Sequence, residues 1–301
     1  MKKIVLTGAT GFIGSTVLKK LLADGHQAIV LLRHESKMDR IIGVTGYESV
    51  HYQTLTQEGL AETLATYKPD AFIHLGWKGV GGSDRNQPFQ VTENLSATIH
   101  SVELAHKAGC EHWIGIGSQA EYGNPNRKVS ENAPALPTTL YGKAKLAACW
   151  AGTGLCEELV MKASWIRVFS TYGVGDEPTW FIPYIITELK KGNVPKLTNC
   201  EQLWDYLYVE DAANAILSVV YQRASGIFNI GSGQAVSLKS VVELIRKSVA
   251  SDAVIDYGAV PYRPDQVMHL EADTSRIRQA TGWTPSVTLK DGIERMISHY
   301  S

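Results

Sequence analysis

The chain is poor in cysteine, the residue on which disulfide frameworks and most structural zinc sites depend. Only four of its 301 residues are cysteine. No CxxC pair and no Cys/His cluster with metal-ligand spacing occurs among them; they are Cys110, Cys149, Cys156 and Cys200. This pattern excludes a zinc finger and a disulfide scaffold, and it predicts buried thiols in a reducing compartment. We therefore expect no metal site.

An excess of charge of one sign and a long apolar run are missing as well. Twenty-nine basic and 30 acidic residues leave a formal net charge of −1. Interspersed charge predicts no binding to nucleic acid or to an anionic membrane surface, so a small molecule is the expected partner. No apolar run approaches the about 20 residues that a membrane span requires. The first apolar stretch runs into a glycine-rich loop and not into a cleavage site, which predicts a strand rather than a signal peptide, and we expect a cytoplasmic protein.

Short apolar runs alternate with longer amphipathic segments from Lys3 to about Arg167, a pattern that predicts βαβ units and a parallel sheet. The predicted strands are 4–7, 28–33, 71–75, 113–117 and about 164–168. The predicted helices are about 12–23, 56–67, 89–108 and 141–156. Beyond Phe169 prolines interrupt the pattern, which predicts a smaller substrate lobe built from insertions.

A glycine-rich turn joins the first predicted strand to the first helix. Gly8 permits a tight turn, Gly11 lets the backbone approach a pyrophosphate, and Gly14 allows close packing of helix on strand. The turn predicts a dinucleotide site in a doubly wound, mostly parallel α/β (Rossmann) sheet. The residues expected to bind the cofactor here are Gly8, Thr10, Gly11, Phe12, Ile13 and Gly14.

The end of the second strand indicates which dinucleotide is bound. An acidic residue there would hold the ribose 2′-hydroxyl of NAD, whereas an arginine would neutralise the 2′-phosphate of NADP. Arg33 ends this strand, and Glu35 follows two positions later, from where it could turn back. The sequence therefore favours NADP(H) and leaves NAD(H) open.

Tyr141 and Lys145 are one helical turn apart, so both side chains lie on the same face of the predicted helix. An ammonium near a phenol favours the ionised phenol, which makes the tyrosine a better proton shuttle near neutral pH. Ser118 follows a predicted strand, at the edge where parallel sheets collect their chemistry. It can bridge a substrate oxygen and the Tyr141 hydroxyl.

The segments TGATGFIG, SQAEYG, YGKAK and YLYVEDAANAI together resemble the extended short-chain dehydrogenases/reductases, the NAD(P)-dependent nucleotide-sugar epimerase/dehydratase family. The resemblance covers essentially the whole chain. It implies that Ser118, Tyr141 and Lys145 form the catalytic triad and that Asn94 supports Lys145 through water. It also implies a nucleotide-sugar substrate.

Further residues receive roles from the resemblance alone. Leu75 and Gly76 match the loop that passes under the cofactor. The Arg263-Pro264-Asp265 turn resembles a family turn whose arginine binds the sugar-nucleotide diphosphate. The full set expected to contact substrate is Ser118, Gln119, Tyr141, Ser170, Trp180 and Arg263.

The resemblance also implies an assembly and a division into domains. Helices 89–108 and 141–156 are expected to pair in a homodimer, with surface supplied by Leu95, Ile99, Val102 and Leu146. We predict a cofactor domain over 1–168, to which 207–231 returns. The substrate lobe is predicted over 169–206 and 232–301.

Departures from the family pattern narrow the choice among the reactions known in the family. In the family's 4,6-dehydratases an acidic pair follows the strand-five hydroxyl, but here Gln119 and Ala120 occupy those positions, which leaves Glu121 as the nearby carboxylate. Trp204 and Ser170 replace an arginine and an asparagine that are usual in the epimerases. We therefore predict the 4-ketoreductase branch, which reduces a nucleoside-diphosphate 4-keto-6-deoxyhexose with NADPH. The alternatives are an NAD-dependent nucleotide-sugar epimerase and, more distantly, a non-catalytic dinucleotide-sensing protein.

Overall fold

The computed structural model describes residues 1–250, 252–263 and 266–300. The described residues form fourteen strands, β1 (Lys3–Thr7), β2 (Gln27–Arg33), β3 (Glu48–Tyr52), β4 (Ala71–His74), β5 (His112–Ser118), β6 (Arg127–Val129), β7 (Lys162–Val168), β8 (Ser170–Tyr172), β9 (Lys196–Leu197), β10 (Leu203–Tyr208), β11 (Gly226–Ile230), β12 (Ala235–Ser237), β13 (Asp256–Tyr257) and β14 (His269–Ala272).

The same residues form nine α-helices, α1 (Phe12–Ala23), α2 (Leu60–Thr66), α3 (Ser96–Lys107), α4 (Leu140–Glu158), α5 (Phe181–Lys190), α6 (Val209–Tyr221), α7 (Leu238–Val249), α8 (Ser275–Thr281) and α9 (Leu289–His299). A π-helical turn, Gln90–Leu95, leads directly into α3. Short 3₁₀ turns occur at Asp39–Ile41, Gly82–Asp84 and Gln119–Tyr122.

The main sheet has seven strands in the order β11-β7-β5-β4-β1-β2-β3, and every neighbouring pair is parallel. The chain moves outward from β1 through β2 and β3, then crosses back to β4 on the other side of β1. Strand order thus reverses between β1 and β4, and a cleft opens at the carboxyl ends of strands at such a point. The predicted doubly wound parallel sheet is confirmed.

Both faces of this sheet are covered by helices, which explains why its strands are apolar in continuous runs. Helices α1 and α6 pack with the strands in one buried cluster, which includes Leu6, Leu18 and Ile216. Helices α2, α3 and α4 cover the other face, where Phe72 and Trp113 are fully buried. The sheet is therefore buried on both faces.

A second, smaller lobe is built mainly from the chain beyond β7 and includes the earlier strand β6. Its sheet runs β12-β10-β14-β6, with β8 paired to β10, and α5, α7 and α9 enclose a separate buried cluster. Between these lobe segments the chain returns to the main sheet as α6 and β11, and α8 packs against both. The division into a cofactor domain and a substrate lobe at the predicted boundaries stays a prediction.

The helices and strands predicted between Lys3 and Arg167 agree with the structure, apart from one missed strand and the start of two helices. Helix α1 has the predicted bounds, whereas the helix predicted over 56–67 begins only at Leu60, after Gly59 in a left-handed conformation. Strand β3 was missed because only Val50 and Tyr52 in it are buried, so its apolar run is short. The helix predicted over 89–108 begins as the π-helical turn, which sequence periodicity does not distinguish from an α-helix.

Two of the four residues expected to supply dimer surface are buried within the chain itself. Val102 is fully buried against the main sheet, and Leu146 is 6% exposed. That part of the expectation is wrong, because the periodicity of α3 and α4 turns these side chains inward. Leu95 and Ile99 stay partly exposed.

No helix in the described ranges is long and apolar enough to cross a membrane. Within those ranges no group of three or more His, Cys, Asp or Glu side chains is placed to hold a metal ion.

Candidate active site

The turn between β1 and α1 can be built only with glycine at two positions. Gly8 has a φ of +69°, and a Cβ there would lie 2.7 Å from both the Gly76 nitrogen and the Leu75 carbonyl carbon. A Cβ on Gly14 would collide with the Gly8 carbonyl oxygen. Gly8 therefore lets the first turn lie against the loop after β4, and Gly14 lets α1 begin directly above the end of β1. This is the tight turn that the sequence predicted.

The first turn of α1 is open to an anion. Gly11 is the N-cap and has no side chain to cap the helix, and the first turn contains no acidic residue. Gly11 donates its own N–H to the Gly8 carbonyl at 3.0 Å. Thr10, Phe12 and Ile13 are partly exposed around this end. Free backbone N–H groups and the positive end of the helix dipole fit a pyrophosphate.

The loop after β4 is tied to β1 by side chains that the sequence analysis did not single out. Thr7 Oγ1 accepts the Gly76 N–H at 3.2 Å and lies 2.8 Å from His74 Nδ1. Burial, together with the nearby Lys145 charge, lowers the pKa of His74 to about 3, so its ring is neutral. Among the described residues His74 Nε2 has no hydrogen-bond partner. The Thr7–His74 pair fixes Leu75 and Gly76 beside the glycine turn.

Arg33 and Glu35 interact at the end of β2. Arg33 Nη1 lies 3.3 Å from Glu35 Oε1, and both side chains are more than half exposed. Glu35 therefore does turn back toward Arg33. An exposed ion pair of this kind contributes only about 0–1 kcal/mol, so it leaves Arg33 available to a stronger anion.

Ser118 is the last residue of β5 and the N-cap of the 3₁₀ turn that follows. Its Oγ accepts the Ala120 N–H at 3.2 Å, while its own N–H donates to Glu121 Oε1 at 2.9 Å. These reciprocal bonds form a capping box, which fixes the rotamer of the serine and the direction of the turn. Ser118 is 8% exposed, at the carboxyl edge of the sheet.

Glu121 lies beneath this serine and is fully buried. Besides the Ser118 amide, its Oε1 accepts the Trp165 Nε1–H at 2.9 Å, and its Oε2 pairs with Arg167 Nε at 2.7 Å. Both oxygens are thus engaged by groups on β5 and β7. The carboxylate that the sequence left open as an acid or base is bonded into the sheet and compensates the charge of Arg167.

Tyr141 lies in the first turn of α4, which Thr139 caps by accepting the Gly142 N–H at 3.1 Å. Burial raises the pKa of Tyr141, against the lowering effects of the nearby Ser118 side chain and of the Arg85 charge. The backbone also ties Tyr141 to the loop after β4, because its N–H donates to the Arg85 carbonyl at 2.7 Å.

Lys145 is 4% exposed and lies one turn farther along the same face of α4. Its Nζ donates to the Ile116 carbonyl at 2.6 Å and lies 5.9 Å from the centre of the Tyr141 ring. Burial lowers the pKa of Lys145 to about 7, while the Glu121 charge acts in the opposite direction. The structure thus brings Ser118, Tyr141 and Lys145 together, and their catalytic roles stay a prediction.

Asn94 lies in the π-helical turn and holds the loop after β4. Its Oδ1 accepts the Lys78 N–H at 2.9 Å, and its Nδ2 donates to the Lys78 carbonyl at 2.9 Å and to Gln90 Oε1 at 3.1 Å. Both ends of its side-chain amide are therefore used in clamping the loop. Its support of Lys145 through water stays a prediction.

The residues expected to contact substrate are spread over both lobes. Gln119 is partly buried in the 3₁₀ turn after Ser118. Ser170 begins β8, and its buried Oγ has no partner among the described residues. Trp180 is the N-cap of α5 and 38% exposed. Arg263 is exposed in a lobe loop, whereas Pro264 and Asp265 of its turn lie outside the described residues.

Comparison with known proteins places these features in a family. Residues 4–231 match the model of the NAD dependent epimerase/dehydratase family. The chain belongs to this family. That membership confirms both the resemblance to the extended short-chain dehydrogenases/reductases and the prediction of an NAD(P)-dependent enzyme.

Individual relatives span the whole chain at low identity. A dTDP-4-dehydro-6-deoxyglucose reductase of Escherichia coli is 25% identical, covering 98% of this chain and 96% of that protein. A UDP-glucose 4-epimerase of Mycolicibacterium smegmatis is 26% identical, covering 99% and 98%. A CDP-abequose synthase of Salmonella muenchen is 24% identical, covering 99% and 97%. Family members with both reductase and epimerase names are thus similar to this chain to the same degree.

Solved structures are likewise similar to this chain over nearly its whole length at low identity. The structure of MoeE5 in complex with UDP-glucuronic acid and NAD has a TM-score of 0.83 and 26% identity, covering 100% of this chain and 99% of that one. The UDP-N-acetylglucosamine 4-epimerase from Methanobrevibacter ruminantium M1 has a TM-score of 0.88 and 22% identity, covering 99% and 98%. The latter likeness shows the shared fold.

Proposed function

We propose that this enzyme uses NADPH to reduce a nucleoside-diphosphate 4-keto-6-deoxyhexose at the sugar ketone. The observation that carries the proposal is the state of Glu121, whose two oxygens are bonded to Ser118, Trp165 and Arg167. Elimination of water needs a free acid or base beside the strand-five hydroxyl, and Gln119 and Ala120 cannot serve as one. Hydride and proton transfer at a carbonyl is the chemistry that the remaining groups support.

The glycine turn and the open end of α1 fit a dinucleotide pyrophosphate, and Leu75 and Gly76 lie where the cofactor would pass. Arg33 would hold the 2′-phosphate, because a doubly charged phosphate competes well with the exposed Glu35 carboxylate. When bound, NADPH supplies a hydride. Lys145 would hold the adjoining ribose.

The chain's own groups would handle the proton. Ser118 would orient the ketone oxygen through its hydroxyl, whose rotamer is fixed by the capping box. Tyr141 would donate its phenolic proton to the alkoxide oxygen that develops on the sugar. Lys145 would stabilise the resulting phenolate electrostatically. We assign to the sugar nucleotide the partly exposed Gln119 and Ser170 and the exposed Trp180 and Arg263.

An NAD-dependent nucleotide-sugar epimerase is the second candidate. The ion pair between Arg33 and Glu35 favours it, because a carboxylate beside the ribose suits the 2′-hydroxyl of NAD. Relatives named as UDP-glucose 4-epimerases and the MoeE5 complex with NAD support the same alternative.

The experiment is a screen of dTDP-, CDP-, GDP- and UDP-4-keto-6-deoxyhexoses with NADPH, followed at 340 nm, beside UDP-glucose without added cofactor. The reductase proposal expects stoichiometric loss of NADPH with one 4-keto sugar and no change of UDP-glucose. Interconversion of UDP-glucose by protein purified with bound NAD would establish the epimerase instead. Tyr141→Phe, run beside the wild type, separates turnover at this site from a contaminant.

A further inference from the structure

Trp77 lies over the Lys145 side chain in the loop after β4. The ammonium nitrogen is 3.6 Å from the centre of the indole ring, well within the distance for a cation–π interaction. The rings of the same tryptophan and Tyr141 form a T-shaped pair, with 6.0 Å between their centres. One indole therefore contacts both Tyr141 and Lys145.

The position of this indole is fixed from behind. Trp77 Nε1 donates to Gln90 Oε1 at 2.8 Å, and Gln90 is fully buried in the π-helical turn. Gln90 Nε2 in turn donates to the carbonyls of Gly79 at 2.6 Å and Asp84 at 3.1 Å, both in the loop after β4. A π-helical turn places side chains where an α-helix would not. The Gln90–Leu95 turn therefore directs Gln90 toward the loop after β4.

Lys145 needs such a contact. Its ammonium is almost out of reach of water and has one hydrogen-bond acceptor, the Ile116 carbonyl, among the described residues. A buried ammonium loses its charge unless other groups replace its hydration. Besides the Ile116 carbonyl and the Glu121 charge, the π-face of Trp77 favours the cation. This π-face also adjoins the phenol that the cation must influence.

We propose that Trp77 is a positioning residue, held by Gln90, which keeps Lys145 charged and directed at Tyr141. The inference rests on the proposed function for the role of Lys145, but the contact itself can be tested without turnover. Trp77 acts through Lys145 and is given no contact with the reacting atoms.

The test uses Trp77→Leu, Trp77→Phe and a control, Trp150→Leu, which removes an exposed tryptophan from α4. The first readout needs no activity: the pKa of Lys145 is measured by NMR of lysine labelled at Cε, with the signal assigned from Lys145→Met. We expect Trp77→Leu to lower that pKa by about one pH unit, because a desolvated cation–π contact is worth about that shift. Trp77→Phe keeps a π-face, so the pKa of Lys145 should stay close to the wild-type value. In Trp150→Leu the pKa of Lys145 should equal the wild-type value.

The second readout is turnover of the substrate found in the screen. Charged Lys145 is required, so kcat falls as pH rises through its pKa, and in Trp77→Leu this alkaline limb should move to lower pH by the same amount. An unchanged or raised Lys145 pKa in folded Trp77→Leu overturns the inference. A lowered pKa in a protein that reduces no nucleotide sugar would leave the contact established and refute the proposed reaction. Circular dichroism checks the folding of each variant.

Discussion

Glu121 lies directly beneath Ser118 and accepts its backbone N–H at 2.9 Å, while the Ser118 hydroxyl caps the same turn from above. The carboxylate nearest to the site is therefore part of the scaffold that aims the serine. Its second oxygen neutralises Arg167, which is 3% exposed.

Glu121→Gln should destabilise the fold much more than it impairs chemistry. The amide oxygen can still accept the Ser118 N–H, but Arg167 would lose its counter-charge, and removing one partner of a buried pair costs about 3–5 kcal/mol. Urea unfolding measures the loss, and turnover is assayed at a temperature where the variant is folded. Glu111→Gln is the matched control, because its ion pair with Arg223 is exposed and should contribute less than about 1 kcal/mol. A fall in kcat of about 100-fold with unchanged stability would make Glu121 the acid or base after all.

Tyr141→Phe removes one oxygen and keeps the ring that packs on Trp77. Loss of a positioned general acid costs about 10²–10⁴ in rate, or about 3–5 kcal/mol, so turnover should fall by that range while NADPH binding persists. Lys145→Met should weaken both turnover and NADPH binding, since the ribose contact is lost as well. Stopped-flow turnover and NADPH fluorescence measure the two effects. If Tyr141→Phe retained more than about a tenth of the rate when chemistry is limiting, Ser118 would be the next donor to test.

Arg33→Ala should weaken NADPH binding and leave NADH binding unchanged. A hydrogen bond to a charged group is worth about 1.5–3 kcal/mol, which corresponds to about a 10- to 150-fold change in Kd. Glu35→Gln releases Arg33 from its partner and should strengthen NADPH binding by up to about fivefold. Fluorescence titration of both cofactors against the three proteins measures the difference. Equal Kd values for NADPH and NADH in the wild type would contradict the proposed preference.

His112 should make the fold sensitive to acid. Its Nε2 lies 2.7 Å from Ser164 Oγ at the opposite edge of the sheet from the site, and burial lowers its pKa to about 4 from 6.5. As pH falls below 6.5 the unfolded chain binds this proton first, so the stability is complete above pH 6.5 and is lost as pH falls toward 4. The slope from one such group is at most about 1.4 kcal/mol per pH unit.

Urea unfolding of wild type and His112→Gln between pH 7 and 4 measures this contribution. The glutamine keeps a donor near Ser164 but does not titrate, so the free energy of unfolding should fall less steeply with acid than in the wild type. His106→Gln, at an exposed position of α3, should follow the wild-type curve. Parallel curves for all three proteins would remove His112 as a source of acid sensitivity.

The family resemblance also predicts a homodimer through α3 and α4, which light scattering at micromolar concentration tests. Trp150 on α4 is 65% exposed in the single chain, and Trp150→Asp should lower the measured mass from two chains to one. Val160→Asp, at a 95% exposed position just beyond α4, is the control and should leave the mass unchanged. A wild-type mass of one chain would contradict the prediction.

The sequence by itself determined the features that depend on local spacing. The glycine turn, the bounds of α1, the parallel pairing in the main sheet and the shared face of Tyr141 and Lys145 follow from periodicity and from the limited freedom of residues other than glycine. Ser118 was predicted as a site residue because it follows an apolar run, which marks the carboxyl end of a strand.

The tertiary structure alone decided what each polar group near the site is bonded to. Glu121 is a structural carboxylate only because β7 brings Arg167 and Trp165 beside it, and no spacing within the chain signals that pairing. The inward direction of Val102 and the indole over Lys145 likewise depend on how helices and loops pack. Contacts between residues distant in sequence arise from the packing of whole elements, which local propensity does not encode.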